Sequence, residues 1–319
     1  MTNVLKIGIA GLGTVGANVV RLLKEHADIL EERTQRRIVV SAVSARAKGK
    51  DRGIDLSGVT WHDNPVDLAD DENVDVVVEL MGGSSGAAYD LVKKSLETGT
   101  PVVTANKALL AAHAREISGL VAAGGIIGFE AAVAGGIPVI KGLREGLAAN
   151  KINAVYGILN GTCNFILSEM SMTGRSFGDV LKEAQEKGYA EADPGFDIDG
   201  VDASHKLSIL SGLSFGGLPD VHAIQVRGIR NITALDIQFA RELGYRIKLL
   251  AIARRTSQGV EQSVEPCLVP QQSPVAAVEG PLNAVYIDGN YSGKVLFVGA
   301  GAGGKATASA VVSDIVDIA

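Results

Sequence analysis

Apolar positions along this chain keep two rhythms. Mostly apolar runs at residues 4–10, 38–43, 74–80 and 101–104 alternate with stretches of helical spacing, such as Val19, Val20, Leu22 and Leu23. Runs apolar at nearly every position fit strands buried on both faces, with crossover helices between them. The pattern predicts an α/β fold built on a parallel, doubly wound sheet. After Glu130 the rhythm changes. A glycine-rich passage, 131–138, leads into a helix, and strands follow at 153–159 and near 246–253, 260–269 and 282–288. Between them an apolar helix runs from Val201 through Ser204, Lys206, Leu207, Ile209 and Leu210. This order predicts a second, α+β domain with a mixed sheet covered by helices.

A length of 319 residues suits about two domains, and 46% hydrophobic with 21% charged residues suits a globular chain with a substantial core. The net charge of −6 argues against nucleic acid as a partner. Cys163 and Cys267 are the only cysteines, too few for a disulfide framework or a metal cluster, so a reducing cytoplasmic setting is expected. The start, MTNVLKIGIAG, enters a strand without the features of a signal peptide. No apolar stretch reaches spanning length without charges or glycines, so no membrane partner is expected.

Glycine is the excess residue, with 39 copies gathered at turns. Gly11, Gly13 and Gly16 of GLGTVG, with Thr14 and Val15 among them, fit the dinucleotide fingerprint of a Rossmann-type sheet. One glycine permits the tight turn, the next admits the pyrophosphate, and the third lets helix and strand pack closely, with helix amides facing the phosphates. The second strand ends in SARAKGK, without the acid that would bind the ribose 2′-hydroxyl of NAD. Arg46 and Lys48 suit the 2′-phosphate of NADP, which is expected ahead of NAD; the alternative is a solvated basic loop. Two other strand ends carry chemistry. Glu79 to Ser84 runs into a glycine turn, where open sheets meet ligands, and Thr104-Ala105-Asn106-Lys107 delivers a lysine at a helix start, against the usual preference for acids.

The densest chemistry lies in GYAEADPGFDIDGVDASHK, where Glu191, Asp193, Asp197, Asp199 and Asp202 precede Lys206. Acids this close repel one another and are costly to bury, so the segment points to a cationic partner. A calcium loop or a solvated acidic turn is the alternative, but the spacing lacks the EF-hand pattern and its closing glutamate. The helix from Val201 places Asp202 and Lys206 at i and i+4 on one face, an arrangement suited to a proton-donating lysine. His205 lies about a hundred degrees round that helix and suits packing or surface. No cysteine and histidine cluster has zinc spacing. Two other turns remain open: the glycines of 131–138 suit either a hinge or carbonyls for a cation, and Asn160-Gly161-Thr162-Cys163-Asn164 starts a helix whose amides suit a carboxylate.

In the order GLGTVG, TANK, EAAVAGGIP, GILNGTCNF, GYAEADP with DIDGVDASHK, and GAGAGGKATASAVVSD, the chain resembles the homoserine dehydrogenases over essentially its whole length. The resemblance implies NAD(P)-dependent interconversion of L-aspartate 4-semialdehyde and L-homoserine, a small-molecule reaction on the way to threonine and methionine. It also implies roles. Lys206 matches the lysine that gives its proton to the aldehyde oxygen, with Asp202 orienting it, and Lys107 the second active-site lysine, near the nicotinamide. Glu191 matches the residue that holds the substrate amino group, with Asp197 as helper, and Gly161, Thr162 and Tyr189 line the amino-acid pocket. Ser84, at the glycine turn after the third strand, is expected to contact the cofactor; Gly303 matches a cofactor position of the family, so the first domain is expected to be discontinuous, 1–134 completed by 300–319, around a substrate and dimerisation domain at 135–299. Glu130 and the backbone of Val133, Gly135 and Ile137 match the ligands of a monovalent cation, usually sodium, and a homodimer is implied.

The sequence stops at Ala319, within or just after the last cofactor-domain helix, so the threonine-sensing domain found in many such enzymes is not expected, nor inhibition through it. Two rivals stand beside this reading. An aspartate-semialdehyde dehydrogenase needs a cysteine nucleophile, and Cys163 sits at a helix start, where a thiol pKa is lowered, but with no histidine nearby in the motif. A non-catalytic NADP sensor would keep the fold but has no use for paired lysines and acids.

Overall fold

A computed structural model describes residues 4–319, which divide into two compact units: residues 4–136 with Ala302–Ala319, and Ile137–Gly301. In the first unit the strands are β1 (Val4–Ala10), β2 (Arg37–Ser44), β3 (Thr60–Trp61), β4 (Val76–Glu79), β5 (Val102–Thr104) and β6 (Ile127–Gly128). Their order is β3-β2-β1-β4-β5-β6, and every neighbouring pair is parallel. The doubly wound sheet expected from the apolar runs is therefore present, and its order reverses between β1 and β4, where such sheets open a ligand crevice.

Both faces of this sheet are covered, which explains why its strands are apolar at successive positions. Ile7 and Ile9 face a core shared with Val19, Val20 and Leu23 of the Thr14–Glu25 helix and with Ala308, Val311, Val312 and Ile315 of the Gly304–Ile318 helix. Ala10 and Val77 join Ala42, Leu68, Val74 and Leu91 in a second cluster. The C-terminal helix thus returns to the nucleotide-type sheet across a long sequence gap, anchored by Val311, Val312 and Ile315, each worth about 1.5–3 kcal/mol when fully buried.

The second unit holds β7 (Ile152–Ile158), β8 (Gln225–Val226), β9 (Tyr245–Thr256), β10 (Gly259–Pro270), β11 (Leu282–Gly289) and β12 (Gly293–Ala300). The order is β12-β11-β7-β9-β10-β8, antiparallel throughout except for the parallel β10–β8 pair, so the sheet is mixed as expected. Helices Gly161–Thr173, Phe177–Glu186, Val201–Phe215 and Ala234–Glu242 accompany it. The strands β3, β6 and β8 have two residues each, too short to leave a periodic signal, and β12 is largely half-exposed, which blurs its alternation. Among the described residues no helix is long and apolar enough to cross a membrane.

Candidate active site

In the first unit a cleft of about 620 Å³ opens at the carboxyl ends of β1, β2 and β4. Its floor is the turn after β1. Gly11 has φ +103°, and a Cβ there would lie 2.6 Å from the Leu80 carbonyl oxygen, so no other residue lets β1 pass the end of β4 this closely. A Cβ on Gly16 would lie 2.0 Å from the Gly11 carbonyl oxygen, which fixes how near the helix sits to the turn. Gly13, the helix N-cap, meets nothing within 4 Å on that side and lines the cleft, leaving backbone open to an incoming phosphate. Thr14, Val15 and Gly16 form the first turn of that helix, which contains no acid.

The basic wall of the cleft differs from the sequence expectation in one residue. Arg46 lines it, but Lys48 does not; the Lys48 ammonium lies 5.9 Å from the centre of the Trp61 ring. Lys50 and Arg52 take its place, because Arg52 donates to the carbonyl oxygens of Leu12, Ala47 and Lys50 and folds the loop back over the β1 turn. Asp63 also lines the cleft.

At the rim, a buried network ties β4 to β5. Glu79 is completely buried, accepts from the Thr104 hydroxyl at 2.7 Å and from the backbone N–H groups of Met81 and Gly82 at 2.8 and 3.1 Å. Asn106 caps the Lys107–Ala112 helix by accepting from Leu109 N–H, and its amide donates to the Gly83 carbonyl at 2.7 Å. This network shapes the Gly82–Gly83 turn and sets Lys107 at the start of its helix. Ser84 stands beyond the cleft lining, its carbonyl oxygen 2.8 Å from His113 Nε2, whereas the neighbouring Gly82 and Ser85 line the cleft. Gly303 precedes the Gly304–Ile318 helix with φ +116° and is likewise outside that lining.

In the second unit the acidic segment and the lysine come together. Lys206 is 8% exposed; its ammonium donates to Asp202 Oδ2 at 2.7 Å and to the Leu159 carbonyl at 2.8 Å. Asn160, the N-cap of the Gly161–Thr173 helix, donates to Asp197 Oδ1 at 2.7 Å and to Asp202 Oδ2 at 2.9 Å. Gly161 and Thr162 open that helix, and the Thr162 hydroxyl donates to the Tyr189 carbonyl at 2.6 Å. Tyr189 is 42% exposed and leans on Phe165, with ring centres 4.9 Å apart. Glu191 is exposed, its backbone carbonyl held by the Gln185 amide. A buried lysine paired with a carboxylate, beside an acid-lined surface, can pass a proton to an oxygen while the acids receive a cation.

Comparison with known sequences separates this arrangement from other dehydrogenases. The homoserine dehydrogenase NAD-binding domain family matches residues 11–129, and the homoserine dehydrogenase family proper matches 138–316. The chain belongs to the homoserine dehydrogenase family. It is 50% identical to homoserine dehydrogenase of Neisseria gonorrhoeae over 316 residues, covering 99% of this chain and 72% of that one. The solved homoserine dehydrogenase of Thiobacillus denitrificans superposes with a TM-score of 0.95 at 48% identity, over 100% of this chain and 74% of that one. A hyperthermophilic archaeal homoserine dehydrogenase solved in complex with NADPH superposes with a TM-score of 0.83 at 29% identity, over 98% of this chain and 97% of that one.

Within this homoserine dehydrogenase, several residues have places that the sequence reading did not foresee. Cys163 is the clearest correction. Its thiol is fully buried and donates to the Asp197 carbonyl at 3.3 Å, and burial, reinforced by the Asp197 and Asp202 carboxylates, pushes its pKa well above the ordinary thiol value. A helix start does not activate a thiol sealed from solvent beside two anions. Asp199 forms a bidentate pair with Arg230, which holds its carboxyl below the usual range, and Asp193 accepts from Gly195 N–H within the turn. Asn160 carried a visible signal, an asparagine just before a helix, but only as a cap. Arg52 and Arg230 carried none, because Leu12 and Asp199, which hold them, are distant in sequence.

The proposed cation ligands lie where backbone is unusual. Glu130 is 2% exposed and its N–H donates to Asp314 Oδ2 at 2.8 Å. Val133 is fully buried, and between it and Gly135 stands Ala134 with φ +55°, a left-handed conformation uncommon for a residue with a side chain. Ile137 is buried in the second unit, where its carbonyl accepts from Val139 N–H.

Proposed function

We propose that this homoserine dehydrogenase interconverts L-aspartate 4-semialdehyde and L-homoserine with NADP ahead of NAD, and that Lys206 moves the proton. The buried Lys206–Asp202 pair, at 2.7 Å with the Leu159 carbonyl on its other side, carries the reading. Negative charge gathers on the aldehyde oxygen as carbon is reduced, and a nearby ammonium stabilises that charge and then supplies a proton. Asp202 holds and aims the lysine ammonium; in the reverse direction the amine takes the proton back. Glu191 and Asp197 receive the substrate ammonium, and Gly161, Thr162 and Tyr189 bound the rest of the amino acid. Lys107 is the second active-site lysine of the same reaction.

The cleft residues fit a nicotinamide dinucleotide. Its volume of about 620 Å³ lies in the range of cofactor sites, glycines bare the backbone for the pyrophosphate, and β2 ends without an acid. Arg46, Lys50 and Arg52 supply the cationic wall that a 2′-phosphate needs. When bound, the cofactor supplies or accepts the hydride.

Glu130 with the backbone of Val133, Gly135 and Ile137 is a donor set for a hard monovalent cation, sodium first, and the left-handed Ala134 supports it as backbone held for a purpose. A homodimer through the second unit is supported by one face of its sheet, where Tyr156 and Tyr286 stack at 4.6 Å and Ile252 and Leu296 are only partly buried. The deciding experiment is homoserine-dependent reduction of NADP and of NAD by wild type, Lys206→Ala and Glu191→Ala. Loss of turnover in the first variant and a raised KM for homoserine in the second are expected. An inert wild type, or full activity in Lys206→Ala, overturns the reading.

A further inference from the structure

Asn160 has no part in the chemistry assigned so far, yet it is 4% exposed and its side chain is fully engaged. Oδ1 accepts from Cys163 N–H at 2.8 Å, and Nδ2, with two hydrogens to give, lies 2.7 Å from Asp197 Oδ1 and 2.9 Å from Asp202 Oδ2. Capping alone needs only the oxygen. The amide half is spent on joining two carboxylates that belong to different elements, one on the Gly195–Ile198 turn and one in the first turn of the Val201–Phe215 helix.

Two further contacts tie this residue to the lysine. The Asp202 oxygen that accepts from Asn160 is the same one that accepts from Lys206, and the carbonyl that holds the other side of the Lys206 ammonium is that of Leu159, the residue just before. Residues 159 and 160 therefore set both bonds of the ammonium, one directly and one through the shared oxygen. An ammonium has three hydrogens, so fixing two directs the third. The same amide fixes Asp197 relative to that ammonium.

We propose that Asn160 is a positioning residue for this reaction: it aims the free N–H of Lys206 and sets the spacing between the proton donor and the acid that receives the substrate ammonium. The inference rests on the roles of Lys206 and Asp197 given above. Asp202 meets the lysine from its own helix, and Asp197, Asp202, Asp199 and Lys206 all act electrostatically on the Cys163 thiol beside them. Neutral amide donors hold two of these acids together without adding charge.

Three variants test it in homoserine-dependent NADP reduction across pH 6 to 10: Asn160→Ser, Asn160→Asp and Lys206→Ala. Serine keeps an oxygen to cap the helix but has no amide to bridge the acids; aspartate keeps cap and size but puts a third carboxylate beside the other two. Misaiming by this much lowers kcat by about 10- to 100-fold and also raises the homoserine KM, with NADPH affinity and thermal midpoint near wild type. Asn160→Asp also moves the pH profile for homoserine oxidation to higher pH, because added negative charge beside the ammonium favours its protonated form. If Asn160→Ser does not fold, Asn160→Asp decides alone. The proposal is overturned by kcat and KM within about twofold of wild type, or by lost activity with an unmoved pH profile and an unmoved KM, which marks a purely structural role. Full activity in Lys206→Ala instead removes the reading beneath it, whatever the Asn160 variants do.

Discussion

Lys248 should make the stability of this enzyme rise with pH in a window where most proteins begin to lose it. The side chain lies on β9, 2% exposed, and its amine donates to the Val278 carbonyl at 2.6 Å and to Asn164 Oδ1 at 3.0 Å. Neither partner is an anion. Burial lowers its pKa from 10.5 to about 8; Glu279 opposes this shift and Arg246 adds to it. Between those two values the folded amine is neutral while the unfolded one is still protonated, so unfolding takes up a proton and stability rises with pH. At about 1.4 kcal/mol per pH unit, the whole window is worth about 3 kcal/mol, present above the unfolded value and lost as pH falls to the folded one. Lys248→Met keeps the stem and removes the titration. The assay is the thermal midpoint of both proteins at pH 7, 8, 9 and 10, read as a difference so that other groups cancel. For a domain of 150–250 residues about 2–4 °C accompanies each kcal/mol, so wild type should gain on the variant by roughly 5 °C or more between pH 8 and 10, with a flat difference below pH 8. A difference constant across the whole range would refute the reasoning, since Lys248 would then keep its ordinary proton affinity inside the fold.

Other substitutions probe the two units separately. Asp202→Asn removes the anion paired with Lys206 and should lower kcat by about 100-fold while NADPH affinity holds; unchanged turnover in a stopped-flow assay would count against the pair. Gly16→Ala puts a methyl 2.0 Å from the Gly11 carbonyl oxygen, an overpacking that costs about 1–3 kcal/mol, and NADPH binding followed by fluorescence should weaken by about tenfold. Equal affinity would show that the helix can retreat without loss. Thr104→Val leaves Glu79 Oε2 without its hydroxyl donor and should cost about 1–3 kcal/mol, measured by denaturant unfolding; a midpoint equal to wild type would mean the rim network is not structural.

The nucleotide-type sheet and the lysine pair were legible in the sequence because both depend on neighbours in the chain. The turn of GLGTVG needs a positive φ at Gly11 and no side chain at Gly16, requirements met within six residues. Asp202 and Lys206 meet because any helix brings residues four apart together. Tertiary structure alone decided what lies across the chain. Asn160 reaches carboxylates 37 and 42 residues away, Arg230 clamps Asp199 from 31 residues away, and Arg52 folds its loop so that Lys50 rather than Lys48 joins Arg46 at the cleft. Burial is the other quantity that local pattern does not reveal. It silences the Cys163 thiol at a helix start that would otherwise activate it, and it lowers the proton affinity of Lys248 in a strand that reads as ordinary. Backbone sterics act between adjacent residues and can be read along the chain. Desolvation and the choice of a distant partner depend on which surfaces the finished fold presses together.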